Sequence, residues 1–254
     1  MWSTQHGSLP PSLEVHLLGQ ISFADCLRLQ RRLTFEAEAS ATRDVCLLLC
    51  EHPPLITVGR AGSRADVRLS SQALARQGLS LVWVGRGGGC VPHAPGQLAI
   101  YPIVRLASRG WSVSAYRERL RAGMVQVLER LGLAPQVRPG SPALWGRSGV
   151  MATCGLEVQD GVACHGAFLN VDPAAAWLRR VDVVPRAAAA PGARRWMSSL
   201  VCERGRPLRM AAVRAEVVAA FADALDCPRF HPHTGHPLLT SPPPRGSESL
   251  RRAS

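Results

Sequence analysis

The stretch Arg86 to Gln97, RGGGCVPHAPGQ, constrains the fold of this chain more than any other segment. Three consecutive glycines follow the apolar run Leu81-Val82-Trp83-Val84, a pattern that predicts a short buried strand. Glycines at a strand exit let the backbone take positive φ and let a ligand approach the main chain closely. His93 and Pro95-Gly96 then turn the chain into a second apolar run, Leu98 to Val104. Strand, glycine-rich loop with one Arg and one His, and strand again make the parts of a binding wall. Taken alone, the pattern also fits a hairpin with an irregular turn.

A chain of 254 residues with 46% hydrophobic content buries a sizeable core, as one large domain or as a domain with a small appendix. No apolar run approaches the ~20 residues needed to cross a bilayer. The N-terminal region has no basic segment followed by a hydrophobic one, and its first Arg is Arg28. This pattern predicts neither a secretory signal nor a presequence, and places the protein in the cytoplasm without a membrane. Net charge is +12, and all 30 basic residues are Arg, since the chain contains no Lys. No reaction here can therefore use a lysine as nucleophile, base or carbonyl anchor. The arginines are scattered and aromatics make up only 5%, which disfavours nucleic acid and fits an acidic protein partner equally well. The eight cysteines (26, 46, 50, 90, 154, 164, 202, 227) form no CxxC pair and show no metal-ligand spacing. Cys46 and Cys50 flank an apolar run and are expected to be buried and reduced.

Along the chain, residues 1–12 are polar and Pro-containing and are expected to be disordered. Leu13 to Leu18 predicts a strand, Phe23 to about Ala37 a helix, and Val45 to Cys50 a buried strand. The Pro53-Pro54 pair marks a bend or an edge. Ser70 to Gln77 has helical character. The clearest helix runs from Val113 to Leu131, capped by Ser112 or Ser114 and stopped by Gly132. Its apolar stripe is Val113, Tyr116, Leu120, Met124, Val127, Leu128 and Leu131. Met151 to Val158 and Val162 to Val171 predict two strands joined by a turn with Asp160-Gly161 at its centre. Pro185 to Arg195 reads as a loop, and Met210 to Leu225 as a helix. A domain is thus expected over residues 13–227, with a disordered tail over 228–254. In that tail His231, His233 and His236 are metal-ligand types that no fixed element is expected to present, so no metal is assigned.

Four motifs in order then carry a resemblance: EHPP-x2-T-x-G (Glu51 to Gly59), RGG-x4-H-x-PGQ (Arg86 to Gln97), a strand with Ala152 and Gly155, and HG-x3-NV (His165 to Val171). Over about Glu14 to Leu225 the chain resembles the octanoyltransferases of lipoate biosynthesis, within the wider biotin/lipoate protein ligase catalytic-domain family. The resemblance implies an α/β (α+β) fold with a mixed β-sheet flanked by helices. It implies transfer of an octanoyl group from acyl carrier protein to a lysine of a lipoyl domain in a 2-oxoacid dehydrogenase, or of a glycine-cleavage protein, with no cofactor. It also implies an acyl pocket walled by Arg86, Gly87, Gly88, Gly89, Cys90, Val91, Pro92 and His93. Thr153, Cys154, Gly155, Gly166, Ala167 and Phe168 would complete that pocket.

The departures concern the chemistry. The family takes the acyl group on a cysteine after a proline and activates that thiol with a lysine before the Ala/Gly strand. Here the lysine position is Val150. The cysteine position is Arg186 if Pro185 anchors the alignment, or Val184 if the spacing from His165 is kept. Ala94 and Ala187 also replace family glycines. The catalytic residues are thus unknown, and three readings stand: a transferase working weakly or by a relocated cysteine, a non-catalytic binder of acyl groups, acyl carrier protein or lipoyl domains, and an ATP-using lipoate or biotin ligase. The last is disfavoured by the absence of lysine. Cys90, Cys154 and Cys164 are the alternative nucleophiles, and each also suits a small apolar filler. Cys164 and His165 adjoin, but neighbours on a strand point to opposite faces. His93 and His165 are expected to position the loop rather than act as bases.

Overall fold

The computed structural model describes residues 10–40, 44–185 and 196–240 of the chain. Strand β1 (Ser12–Gln20) leads to α1 (Phe23–Ala39), β2 (Val45–Glu51) and β3 (Leu55–Val58), and after the short α2 (Ser71–Arg76) come β4 (Leu81–Trp83), β5 (Cys90–His93) and β6 (Gln97–Arg105). A single turn, α3 (Leu106–Arg109), precedes α4 (Val113–Arg130), β7 (Gln136–Val137), β8 (Ala143–Trp145), β9 (Val150–Gln159) and β10 (Val162–Asn170). Short helices α5 (Ala175–Leu178) and α6 (Leu200–Arg204), then α7 (Met210–Ala224), β11 (Arg229–Thr234) and α8 (Pro237–Thr240) complete it. The fold is the mixed α/β arrangement expected from the sequence. An eight-stranded sheet runs β11-β1-β2-β6-β10-β9-β8-β7, and a three-stranded sheet runs β4-β3-β5. β1 pairs in parallel with both β11 and β2, whereas β2–β6, β6–β10 and β10–β9 are antiparallel.

Alternation along β2 shows how this sequence divides the core. Leu47 and Leu49 join one apolar cluster with Leu120, Met124, Val217 and Phe221 of α4 and α7. Leu48 and Cys50 face the other way, into a cluster with Cys26 and Leu29 of α1 and with Ile56 and Val58 of the small sheet. The large sheet is therefore covered by α4 and α7 on one face and by α1 and the small sheet on the other.

Several expectations need correction. β4 is an edge strand with Trp83 62% exposed, because only β3 pairs with it and no layer covers its outer side. Pro53-Pro54 does mark a bend, but the chain beyond it becomes β3, the middle strand of its sheet. Val113 is 49% exposed, since it opens α4 directly after the Ser112 cap, before the helix reaches the core. Residues 228–240, expected to be disordered, contain β11 and α8. All six residues of β11 are exposed, so it shows no apolar signal and is held by main-chain pairing to β1. It presents His231 and His233, and His236 follows it, so the tail histidines do sit on a fixed element. The His16 ring meets those of His233 and His236 at 5.1 and 4.4 Å between centroids.

Candidate functional site

The glycine loop between β4 and β5 is clamped from two sides by main-chain hydrogen bonds. On one side the amides of Gly59, Arg60 and Ala61 donate to the carbonyls of Gly89, Arg86 and Gly88. On the other, the Gly87 amide donates to the Leu156 carbonyl of β9 at 2.9 Å. Both clamps need a missing side chain opposite the loop. A Cβ on Gly59 would lie 2.5 Å from the Gly88 oxygen, and one on Gly155 would lie 2.5 Å from the Gly87 oxygen. The first, second and third motifs are thus one physical object, a loop gripped between two glycine-marked strands.

Arg86 anchors the loop from inside. It is 2% exposed, and its guanidinium donates to the carbonyl oxygens of Gly87 and Gly89 and, at 2.7 Å, to the Thr57 hydroxyl oxygen. Its cationic carbon lies 5.4 Å from the Phe168 ring centroid. Burial lowers its pKa from 12.5 to about 10, which still leaves it charged at neutral pH. From Thr57 a side-chain relay runs inward. The Thr57 hydroxyl and the Gln97 carbonyl oxygen each lie 2.8 Å from a ring nitrogen of His93, Nε2 and Nδ1 respectively. Because Thr57 already accepts from Arg86, its proton points at Nε2, and Nδ1 carries the ring proton toward Gln97. The Gln97 amide then donates to Asn170 Oδ1 at 2.8 Å and to the Pro92 carbonyl, and the Asn170 amide donates to the Ser198 carbonyl at 3.0 Å. Both His93 nitrogens are occupied, and burial holds its pKa well below 6.5. His93 is a neutral positioning residue that bonds side chains rather than main chain.

Beside this loop lies a cavity of about 180 Å³ lined by Arg86, Gly88, Gly89, Val91, Thr153 and Cys154, by residues 139–143, and by Val183, Val184 and Pro185. It shares Gly88, Cys154 and residues 139–142 with a larger groove of about 420 Å³, whose wall includes Gly87, Gly155, Arg60, Arg117, Arg121 and Arg138. Of the fourteen residues expected in the pocket, six line the cavity and two more, Gly87 and Gly155, line only the groove. The others stand behind the wall. Cys90 turns its thiol to the Ser63 carbonyl, and Pro92 and His93 pair with β3. Gly166 packs on the Ile100 main chain, Ala167 is fully buried, and Phe168 fills the space between Arg86 and His93. They lie there because β10 is the central partner of β6 and β9 and is covered on both faces. Residues 139–142 were missed by sequence reasoning, although Pro-Gly-Ser-Pro carries a turn signal that could have marked them.

The positions that the resemblance assigns to the catalytic pair differ in setting. Val150 is buried at the start of β9, its amide donating to the Trp196 carbonyl, whereas Val184 lines the cavity. Arg186 and Ala187 lie outside the described residues. Cys154 is the one thiol among the described cavity residues, and burial pushes its pKa up to about 12. Cys164 and His165 line a separate cavity of about 120 Å³ together with Glu157, Trp83 and Thr34. The opposite-face expectation fails here because His165 has φ +54° beside the Pro102 break in β6, and its amide donates to Gln30 Oε1 of α1 rather than to the sheet. His165 Nε2 sits 3.4 Å from Glu157, whose carboxyl is held down at about 2 chiefly by that contact.

Residues 22–222 match the family model of the lipoyl protein ligase A/B catalytic domain. The chain belongs to this family. Among curated members it is similar to the octanoyltransferase of Chloroflexus aurantiacus, 39% identical over 165 residues, covering 64% of this chain and 74% of that one. It is also similar to the octanoyltransferase of Chloroflexus aggregans, 33% identical over 218 residues, covering 85% and 96%. The lipoyl protein ligase fold is shared with solved structures at much lower identity. One is a lipoate-protein ligase A bound with ATP, with a TM-score of 0.69, 14% identity and 88% and 89% coverage. Another is the bi-partite lipoate protein ligase of Thermoplasma acidophilum, with a TM-score of 0.68, 14% identity and 88% and 87% coverage. No helix among the described residues is long and apolar enough to cross a membrane.

Proposed function

We propose that this member of the octanoyltransferase lineage binds a medium-length acyl group in the 180 Å³ cavity and works as a non-catalytic partner in protein lipoylation. Acyl carrier protein and lipoyl domains, in the cytoplasm, are its expected partners. The observation that carries this reading is the chemistry of the cavity wall. Val184 and Cys154 line it, no lysine exists anywhere in the chain, and the Cys154 thiol is pushed up to about 12 by burial. Acyl transfer through a thioester needs a thiolate, and a thiolate needs a nearby cation or base to lower its pKa. Cys154 receives only a distant contribution from Arg121. Main-chain groups of the glycine loop and apolar Val91, Val183 and Val184 still suit an acyl chain.

The second reading, a slow transferase with Cys154 as relocated nucleophile, is favoured by the placement of that residue on the wall of both cavity and groove. Intact-mass spectrometry after incubation with octanoyl-acyl carrier protein separates the two. The proposal expects binding of the carrier protein with no octanoyl adduct. An adduct that disappears in Cys154→Ala, or donor turnover at the rate of family members, would overturn it.

A further inference from the structure

A cluster unrelated to acyl binding sits behind the wall, where α1 packs on the large sheet. Cys26 of α1 and Cys50 of β2 place their sulfurs 3.9 Å apart, and His52 Nε2 lies 3.7 Å from the Cys50 sulfur. All three residues are buried, and the three ligand atoms lie within 4.8 Å of one another. A planar three-coordinate ion with bonds of about 2.3 Å to sulfur and about 2.0–2.1 Å to nitrogen holds its ligand atoms about 3.8–4.0 Å apart; a tetrahedral ion holds them about 3.5–3.8 Å apart. The Cys26–Cys50 and Cys50–His52 separations match these spacings, and the third pair, Cys26–His52, lies within 4.8 Å and needs only a small side-chain shift to close on an ion.

The supporting groups are also in place. His52 Nδ1 lies 2.9 Å from the Ile21 carbonyl, so it carries the ring proton and leaves Nε2 as the unprotonated nitrogen, beside the Cys50 sulfur. Anchoring the far nitrogen on a carbonyl is the usual way a metal-binding histidine is oriented. Gln30 Nε2 donates to the Cys26 sulfur at 3.7 Å, a contact that stabilises sulfur as it becomes anionic. The Tyr101 hydroxyl, 2.8 Å from Nε2, now donates to the lone pair. It would yield to an ion or, deprotonated, become a fourth ligand. The ligands come from a helix and a strand 24 residues apart, and for that reason no linear spacing revealed them.

We propose that Cys26, Cys50 and His52 form a binding site for one thiophilic d10 metal ion, Cu(I) or Zn(II), that pins α1 to β2. Soft thiolates select these ions, and the dry surroundings favour low coordination. Binding forms two metal–sulfur bonds and one metal–nitrogen bond and releases the two thiol protons to solvent. The His52 ring lies 5.8 Å from that of His93, so the pin would brace the wall that holds the glycine loop.

The full-length protein should be expressed in medium supplemented with zinc or copper, and the purified protein titrated with Co(II), Zn(II) and Cu(I) salts. The expected result is one equivalent of Zn(II) or Cu(I) retained after desalting, thiolate-to-metal charge-transfer absorption with Co(II), and two protons released per zinc. Cys26→Ala and Cys50→Ala should each lower affinity at least about tenfold, the smaller end of the effect seen when only an outer-shell partner is lost. Cys46→Ala, on the same strand, should leave affinity unchanged. Retention of zinc alone or copper alone supports the site and names its ion. No stoichiometric binding, or binding without thiolate-to-metal charge transfer from whichever of Co(II) and Cu(I) the wild-type chain takes up, overturns it even if the variants fail to fold.

Discussion

Thr57 serves two buried groups with one hydroxyl, since it accepts from charged Arg86 and donates to neutral His93. Thr57→Val keeps the shape and removes both bonds, leaving one guanidinium N–H without this partner and one imidazole lone pair unsatisfied. We expect a loss of about 1–3 kcal/mol in unfolding free energy, the cost of unpaired buried polar groups. Denaturant titration reads this directly, and a change under a few tenths of a kcal/mol would mean that the relay contributes nothing. The same residue explains part of what the sequence could not say. Thr57 stood in the first motif as one matched letter; its role needs β3 and β5 side by side, a pairing that local pattern does not specify.

β11 shows what main-chain pairing can do without an apolar signal. It covers β1, which would otherwise be an open edge of the large sheet. A chain ending at Cys227 should fold but self-associate through the uncovered β1, and light scattering after gel filtration should show species larger than monomer. A truncated chain identical to wild type in mass and stability would mean that β11 protects nothing. Elements with a strong period were legible in the sequence: β1, α1, β2, α4, β9, β10 and α7 all fall within a few residues of expectation. The Asp160-Gly161 turn, with φ of +49° and +77°, behaves as its residues require. What escaped was either short, like β8 and α6, or without an apolar period, like β11. Within the site, the glycine loop and Cys154 were legible because close approach and sulfur are written in residue type. Gly166 to Phe168, expected in the pocket, stand behind this cavity's wall, and a motif does not say which face of β10 meets a cavity.

At the scale of the whole molecule, acid should be the weak flank. Burial lowers the pKa of His16, His165 and His236 below 6.5, so the folded state refuses protons that the unfolded chain accepts. A group with a depressed pKa that is neutral when folded contributes stability in full above 6.5 and loses it as pH falls through the folded value. Glu157 works lower down, contributing above 4.5 and losing its share toward about 2. Unfolding free energy should be level between about pH 7 and pH 8 and decline from about 6.5 downward. A profile flat between pH 7 and pH 5 would contradict this.

The relay from Arg86 to Ser198 crosses from the small sheet to the large one, and every bond in it has a fixed sense. Its polarity begins at a guanidinium that gives only protons and ends at a carbonyl that only accepts. Reversing any link would leave an end without a partner, so the chain can be traversed by neither a flip nor a hop. The His93 Nδ1 proton is consequently trapped: it should appear as a single slowly exchanging imidazole resonance, one tautomer frozen in place, long after the loop amides around it have exchanged with solvent.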